Sequence, residues 1–253
     1  MNEQDMLIQI YKIFHPSLPR LGPGDDASTR KALDMLPPFL REPSRSILDL
    51  GCGNGAQTLC LARNLAGNIT AVDTHQPFLD ELLRRAAVSG CGERIRTIRA
   101  DMGRIDPDQG GWDLIWSEGA MYNLGLEPGL GQCRRLLKEK GFLAFTELCW
   151  LGPERPQECL DFFALENLQV LDIPGNIEVI GRSGFKLIGH FTLPADSWRS
   201  DYYLPLSRRL KELRGSHAED RDLMQVVGLV EYEIEVFHRY EDSYGYVFFV
   251  LEN

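Results

Sequence analysis

A chain of 253 residues with 43% hydrophobic content can bury one substantial core and lies near the upper size for a single α/β domain, so one domain spanning 1–253 is expected. Its formal net charge of −10 argues against a nucleic-acid partner, because neutralising a phosphate backbone takes clustered Lys and Arg. No apolar run approaches the ~18 residues that a membrane-spanning helix needs.

The N-terminal segment 1–40 is expected to form lid or cap helices. Within it, Leu21-Gly22-Pro23-Gly24-Asp25-Asp26 reads as a mobile connection, either a lid or an ordinary exposed turn, ahead of a helix from Ala27 to Leu40. The stretch Ile47-Leu48-Asp49-Leu50-Gly51-Cys52-Gly53-Asn54-Gly55 follows, an apolar run ending in an acid and three alternating glycines. Glycine tolerates backbone angles that a β-carbon forbids, so this spacing turns the chain sharply out of a buried strand and brings bare backbone against a ligand. Ala56 to Arg63 reads as a helix whose first free N–H groups face the same turn.

Asn68 to Asp73 is a second short apolar segment ending in an acid, at the distance where the next strand of a βαβ unit presents a carboxylate to ribose hydroxyls. Ile95 to Met102 ends in Asp101-Met102, and Trp112 to Glu118 ends in Ser117-Glu118, so four successive strands carry polar groups at their carboxyl ends. From Ser46 to Glu147 strands alternate with amphipathic helices, the rhythm of a parallel sheet with right-handed crossovers. Lys140-Gly141 reads as the end of a helix, and Phe142 to Glu147 as a fifth strand, closing a cofactor-binding core over 46–150.

Beyond it the rhythm breaks. Segment 151–182 holds Pro153, Pro156 and Pro174 around a helix from Gln157 to Gln169 and is expected to pack over the carboxyl ends of the strands. Phe185 to Phe191 and Tyr244 to Val250 read as two late strands. Between them, 195–243 reads as a second cap insertion with helices from Ser197 to Arg214 and from Glu219 to Arg239, broken at Gly215-Ser216.

The letters leave two cofactors open, since Gly51 to Ala56 also satisfies the dinucleotide pattern G-x-G-x-x-A. Taken alone, Asp73 is as readily a turn former as a ribose ligand. Asp49 is an awkward charge at the mouth of a sheet, which a cationic ligand or backbone N–H groups would explain. Cys52 reads as a small apolar filler. The six cysteines form no C-x-x-C pair and no Cys/His cluster, so no metal site is indicated. With acids at Glu3 and Asp5, where a signal peptide needs a basic start, they point to a soluble, cytoplasmic protein.

The glycine turn and the series of acids in register with it resemble the class I S-adenosylmethionine-dependent methyltransferases over roughly residues 20–150, in the family's order. Closest is the small-molecule branch that includes ubiquinone and menaquinone methyltransferases, and Trp116 to Asn123 is similar to an uncharacterised bacterial subgroup. The resemblance implies an α/β, Rossmann-like fold with a seven-stranded, mostly parallel sheet, an antiparallel seventh strand inserted before the sixth, helices on both faces and a helical cap over the carboxyl edge. It implies S-adenosylmethionine as cofactor, its methionine part carried by Asp49, Gly51, Gly53 and Gly55. Asp73, with Thr74 after it, would hold the ribose, Asp101 would sit beside the adenine amino group with Met102 packed on the ring, and Ser117 and Glu118 would close the site.

The implied reaction is methyl transfer to a small-molecule acceptor. Tyr122, Asn123, Glu147 and Trp150 are the candidates for binding it, no catalytic base is assigned, and Tyr122 and Trp150 serve equally as packing. Trp198, Tyr202 and Tyr203 could wall the acceptor or simply pack helices, and His190 reads as structural. The alternatives are an NAD(P)-dependent oxidoreductase and a non-catalytic sensor of an adenosyl ligand.

Overall fold

The computed structural model describes residues 2–106 and 111–253. Its strands are β1 (Ser46–Leu50), β2 (Asn68–Asp73), β3 (Ile95–Arg99), β4 (Trp112–Ser117), β5 (Leu137–Trp150), β6 (Leu171–Asp172), β7 (Lys186–Thr192) and β8 (Tyr244–Glu252). They form one sheet in the order β3-β2-β1-β4-β5-β8-β7, with β6 paired to β5 off this path. β1 to β5 are mutually parallel, whereas β8 lies antiparallel between β5 and β7. The described sheet is eight-stranded where seven strands were expected, the addition being the two-residue β6 beside Cys149 and Trp150.

The helices are α1 (Glu3–Ile13), α2 (Asp26–Asp34), α3 (Ala56–Asn64), α4 (Gln76–Val88), α5 (Leu126–Leu136), α6 (Gln157–Leu165), α7 (Ile173–Arg182), α8 (Asp196–Trp198), α9 (Leu204–Ser216) and α10 (Arg221–Tyr240). One face of the sheet, which includes Ile47, Ile69 and Leu114, packs on Leu33 of α2, Leu61 of α3 and Leu79 and Leu82 of α4. The other, with Leu48, Leu50, Ile115 and Phe145, packs on Leu130 and Leu136 of α5 and on Ile180 of α7. Both faces are covered, which is why the central strands read as nearly continuous apolar runs. Each fully buried Leu or Ile among them contributes about 1.5–3 kcal/mol relative to exposure.

Several boundaries differ from expectation for local reasons. α2 stops at Asp34, well short of Leu40, because Pro37 and Pro38 bar a continued helix and the chain makes a 3₁₀ turn over Pro38–Arg41 instead. α6 stops at Leu165, before Gln169, where Asn167 takes the left-handed conformation at φ 54°. Lys140 does not end a helix: it sits at φ 60° inside β5, which begins at Leu137 directly after α5. From Asp196 to Ser216 the chain is helical but interrupted by a π-helical turn, Arg199–Tyr203.

Above the carboxyl edge of the strands, α9 and α10 share an apolar core of Leu206, Leu210, Val227 and Phe237 with Trp198 and Tyr203, and α1 packs on both helices. Of the segment 151–182, α6 joins this cap against α10, while α7 packs on β5, β7 and α5 in the layer below. No helix among the described residues is long and apolar enough to cross a membrane.

Candidate functional site

A cavity of about 500 Å³ opens where the strand order reverses between β1 and β4, the place at which open α/β sheets bind ligands. Its floor is the turn after β1. Gly51, Gly53 and Gly55 all have positive φ, at 69°, 53° and 84°. A β-carbon on Gly51 would run into Ala120, and one on Gly55 into the side chain of Leu82, so both glycines are required by close approach as well as by conformation. Gly51 and Gly53 line the cavity, and Gly55 turns the chain into α3 beneath it.

Asp49 stands under this turn and not on the cavity wall: it is fully buried. Thr58 donates its hydroxyl to Asp49 Oδ2 at 2.6 Å and Gln57 donates Nε2 to Oδ1 at 3.3 Å. The awkward charge is thus held by side chains of the first turn of α3, whose dipole also favours an anion there. Burial still dominates, with Glu118 and Asp73 adding to it against the two donors, and pushes the carboxyl up to about 7. Burial also raises the Cys52 thiol well above its ordinary value, in line with a filler.

Asp73 and Thr74 line the cavity at the end of β2. Asp73 Oδ2 accepts from Gly53 N at 2.9 Å and Oδ1 from His75 N at 2.9 Å, so the carboxylate ties the glycine turn to the second strand. Burial raises its pKa against these donors. Asp101 and Met102 line the far wall; Asp101 accepts from Gly103 N at 2.9 Å, and the Met102 sulfur lies 3.6 Å from where a Gly51 β-carbon would stand.

Glu118 lines the cavity with its carboxylate fully engaged. Oε1 accepts from Trp116 Nε1 at 2.8 Å and from Thr29 Oγ1 at 2.7 Å, and Oε2 from Arg20 Nη1 at 3.3 Å. Ser117 faces the other way: it is fully buried and donates Oγ to Leu50 O at 3.0 Å. Asn123 is on the cavity wall, its amide donating to Ala120 O at 3.0 Å. Tyr122, beside it, is 42% exposed and outside this cavity.

Glu147 is 8% exposed and its Oε2 has no hydrogen-bond partner; burial pushes the carboxyl up to about 8. Trp150 is packed edge-on against Phe163 and Tyr244 with the Arg155 guanidinium 4.8 Å from its ring centre, a place in the cap core away from the cavity. Trp198, Tyr202 and Tyr203 are buried, Trp198 stacked on Phe237 at 4.5 Å. His190 is exposed on β7, at the edge of the sheet.

Some lining residues had no mark in the sequence. Arg20 is one, and Leu7 and Tyr11 of α1 are others, Tyr11 stacked on His75 at 3.5 Å. The connection Leu21–Asp26 does wall the cavity through Leu21, Gly22 and Pro23, but it is fastened: Asp25 caps α2 by accepting from Ser28 N at 2.7 Å and also accepts from the Ser197 hydroxyl. Among the described residues no His, Cys, Asp or Glu group is arranged to hold a metal ion.

Residues 47–141 match the family model described as a methyltransferase domain. The chain is 21% identical over 180 residues to a sterol 24-C-methyltransferase of Yarrowia lipolytica, an alignment covering 67% of this chain and 47% of that protein. It therefore spans about half the length of the curated relative it matches. Among solved structures, YjhP from E. coli superposes with a TM-score of 0.82 at 18% identity, covering 96% of this chain and 98% of that one. A S-adenosylmethionine-dependent methyltransferase from Thiobacillus denitrificans, in complex with S-adenosylhomocysteine, gives 0.81 at 19% identity over 96% and 97%. Its counterpart from Geobacter sulfurreducens, with the same ligand, gives 0.77 at 20% identity over 97% and 96%. Segment 47–141 is thus similar to a methyltransferase domain, and the fold that carries it is shared with these S-adenosylmethionine-dependent methyltransferases.

Proposed function

We propose that this chain transfers the methyl group of S-adenosylmethionine to a small organic acceptor. The observation that carries the reading is the charge of the cavity wall: among the described residues it sets Asp73, Asp101 and Glu118 against one cation, Arg20. Such a lining suits a donor with a positive sulfonium and an ammonium group, and it repels the pyrophosphate of a nicotinamide dinucleotide. In this reading the bare backbone of Gly51 and Gly53 lies under the methionine part, Asp73 with Thr74 accepts from the ribose, and Asp101 with Met102 brackets the adenine. Asp49 acts through Gln57 and Thr58, setting the turn without touching the donor, and Arg20 pairs with the donor carboxylate next to Glu118.

The bound sulfonium supplies an activated methyl group. What the chain adds is alignment of the acceptor and exclusion of water, for which the cap of α1, α9 and α10 is placed. Six free, buried cysteines fit a reducing setting, so the proposed location is the cytoplasm. A net charge of −10 supports an acceptor other than nucleic acid.

The test is a pair of thermal scans. S-adenosylhomocysteine at a hundredfold excess over Kd should add about 2.7 kcal/mol of stability and raise the melting temperature, and NAD should not. Stabilisation by NAD with none from the adenosyl ligand would reverse the assignment.

A further inference from the structure

The segment that walls the donor cavity is held from the cap. Arg20, Leu21, Gly22 and Pro23 line the cavity, and the two residues after them are fastened elsewhere. Gly24 donates its N–H to Ser197 O at 3.2 Å, and the Ser197 hydroxyl donates to Asp25 Oδ2. Ser197 is 1% exposed and lies in α8 next to Trp198, whose ring stacks on Phe237 of α10 at 4.5 Å. Two adjacent positions of the wall are thus tied to one cap residue, which Asp25 meets across 172 positions of sequence.

Gly24 carries that tie to Arg20. A β-carbon on Gly24 would stand 2.6 Å from Arg20 Nη1 and 3.1 Å from Glu118 Oε2, so bare backbone lies directly against the ion pair. Glu118 is itself fixed by Trp116 Nε1 at 2.8 Å and Thr29 Oγ1 at 2.7 Å, which leaves the guanidinium between a fixed carboxylate and the backbone that Ser197 holds. Arg20 is 9% exposed, and its donors are not used up. Nη1 donates to Glu118 Oε2 at 3.3 Å, whereas Nη2 is buried without a hydrogen-bond partner, 3.7 Å from Asp26 Oδ1. A buried guanidinium with a donor to spare suits a carboxylate, provided its place is set beforehand.

Resting on the reading of Arg20 as the partner of the donor carboxylate, we propose that Ser197 is a positioning residue for donor binding. Through its hydrogen bonds to Gly24 and Asp25 it latches the cavity wall to the cap, and so holds the Arg20 guanidinium where the carboxylate of S-adenosylmethionine meets it. Ser197 does not line the cavity and acts only through this segment. The adenosine side is independent of the latch, because Asp73 and Asp101 stand at the ends of other strands, β2 and β3. Removing the Ser197 hydroxyl cuts the latch without uncapping α2, since Ser28 still donates to Asp25 from its N at 2.7 Å and its Oγ at 2.8 Å.

The experiment is calorimetric titration of the full chain with two ligands, S-adenosylhomocysteine and 5′-methylthioadenosine, which keeps the adenosine and the thioether and lacks the amino-acid carboxylate. Ser197→Ala is expected to bind S-adenosylhomocysteine about fivefold more weakly, the worth of one hydrogen bond. Gly24→Ala, whose methyl group presses on Arg20 directly, should bind it about tenfold more weakly. Both variants should hold 5′-methylthioadenosine as the unaltered chain does, whereas a merely structural role would weaken the two ligands alike. Equal losses for the two ligands, or unchanged S-adenosylhomocysteine affinity in both variants, overturns the latch and leaves the donor reading standing. No binding of 5′-methylthioadenosine to the unaltered chain also overturns the latch, since the adenosine side would then depend on the carboxylate. No binding of S-adenosylhomocysteine to the unaltered chain overturns both readings.

Discussion

Gly53 donates its backbone N–H to Asp73 Oδ2 at 2.9 Å, so one carboxylate both pins the glycine turn after β1 and presents itself to the cavity. In the proposed reading this couples the shape of the methionine subsite to the ribose subsite. Asp73→Ala is expected to lose roughly 1.5–3 kcal/mol of S-adenosylhomocysteine affinity, the worth of hydrogen bonds to a charged acceptor. The fold should lose less, about 1 kcal/mol. Calorimetric titration beside urea denaturation separates the two, and unchanged affinity would leave Asp73 as a turn former only.

Gly55→Ala tests the turn from the other end. The new methyl group meets Leu82 on α4, and φ of 84° is strained for any residue with a β-carbon. The cost should exceed about 1 kcal/mol, more than an ordinary surface exchange. A denaturation midpoint equal to that of the unaltered chain would show that α4 moves aside freely.

Arg20 and Glu118 form an ion pair at 3.3 Å with both side chains nearly buried, 9% and 3% exposed. Removing one partner strands the other charge. Arg20→Met is therefore expected to destabilise by about 3–5 kcal/mol. Glu118→Gln keeps an acceptor for Trp116 and Thr29 and should lose less. Equilibrium unfolding of the two variants under one condition gives the ranking, and a harmless Arg20→Met would mean that water reaches the pair.

The pH dependence of stability should carry the signature of Glu147. Its folded pKa of about 8 lies above the value of about 4.3 for an exposed glutamate. Between these values the unfolded chain ionises and the folded chain does not, so stability falls as pH rises and levels off above about 8. Glu147→Gln removes that slope. The variant should be more stable than the unaltered chain by over about 1 kcal/mol at alkaline pH, with the difference shrinking toward about pH 5. Paired melts across this range would show a constant difference if Glu147 were solvated.

What the sequence determined on its own was everything governed by neighbours along the chain. The apolar runs from Ile47, Asn68, Ile95 and Trp112 placed the parallel strands, the glycine spacing placed the turn, and Asp73, Asp101 and Glu118 came to the cavity because a parallel strand delivers its last residues to one edge of the sheet. Those are consequences of local period and backbone angle. Side-chain direction and distant partners were decided only by the tertiary structure. Ser117 and Glu118 are adjacent, yet the alternation of a strand end sends one into the core and the other to the cavity. Asp49 reads as a ligand until α3 folds back and supplies Gln57 and Thr58. Arg20, in the connection ahead of α2, meets Glu118 across 98 positions, and Tyr203 meets Glu233 across 30 through cap helices packed on each other. Contacts closed across such separations leave no periodic trace in the letters, since they depend on how whole layers stack and not on the residues beside them.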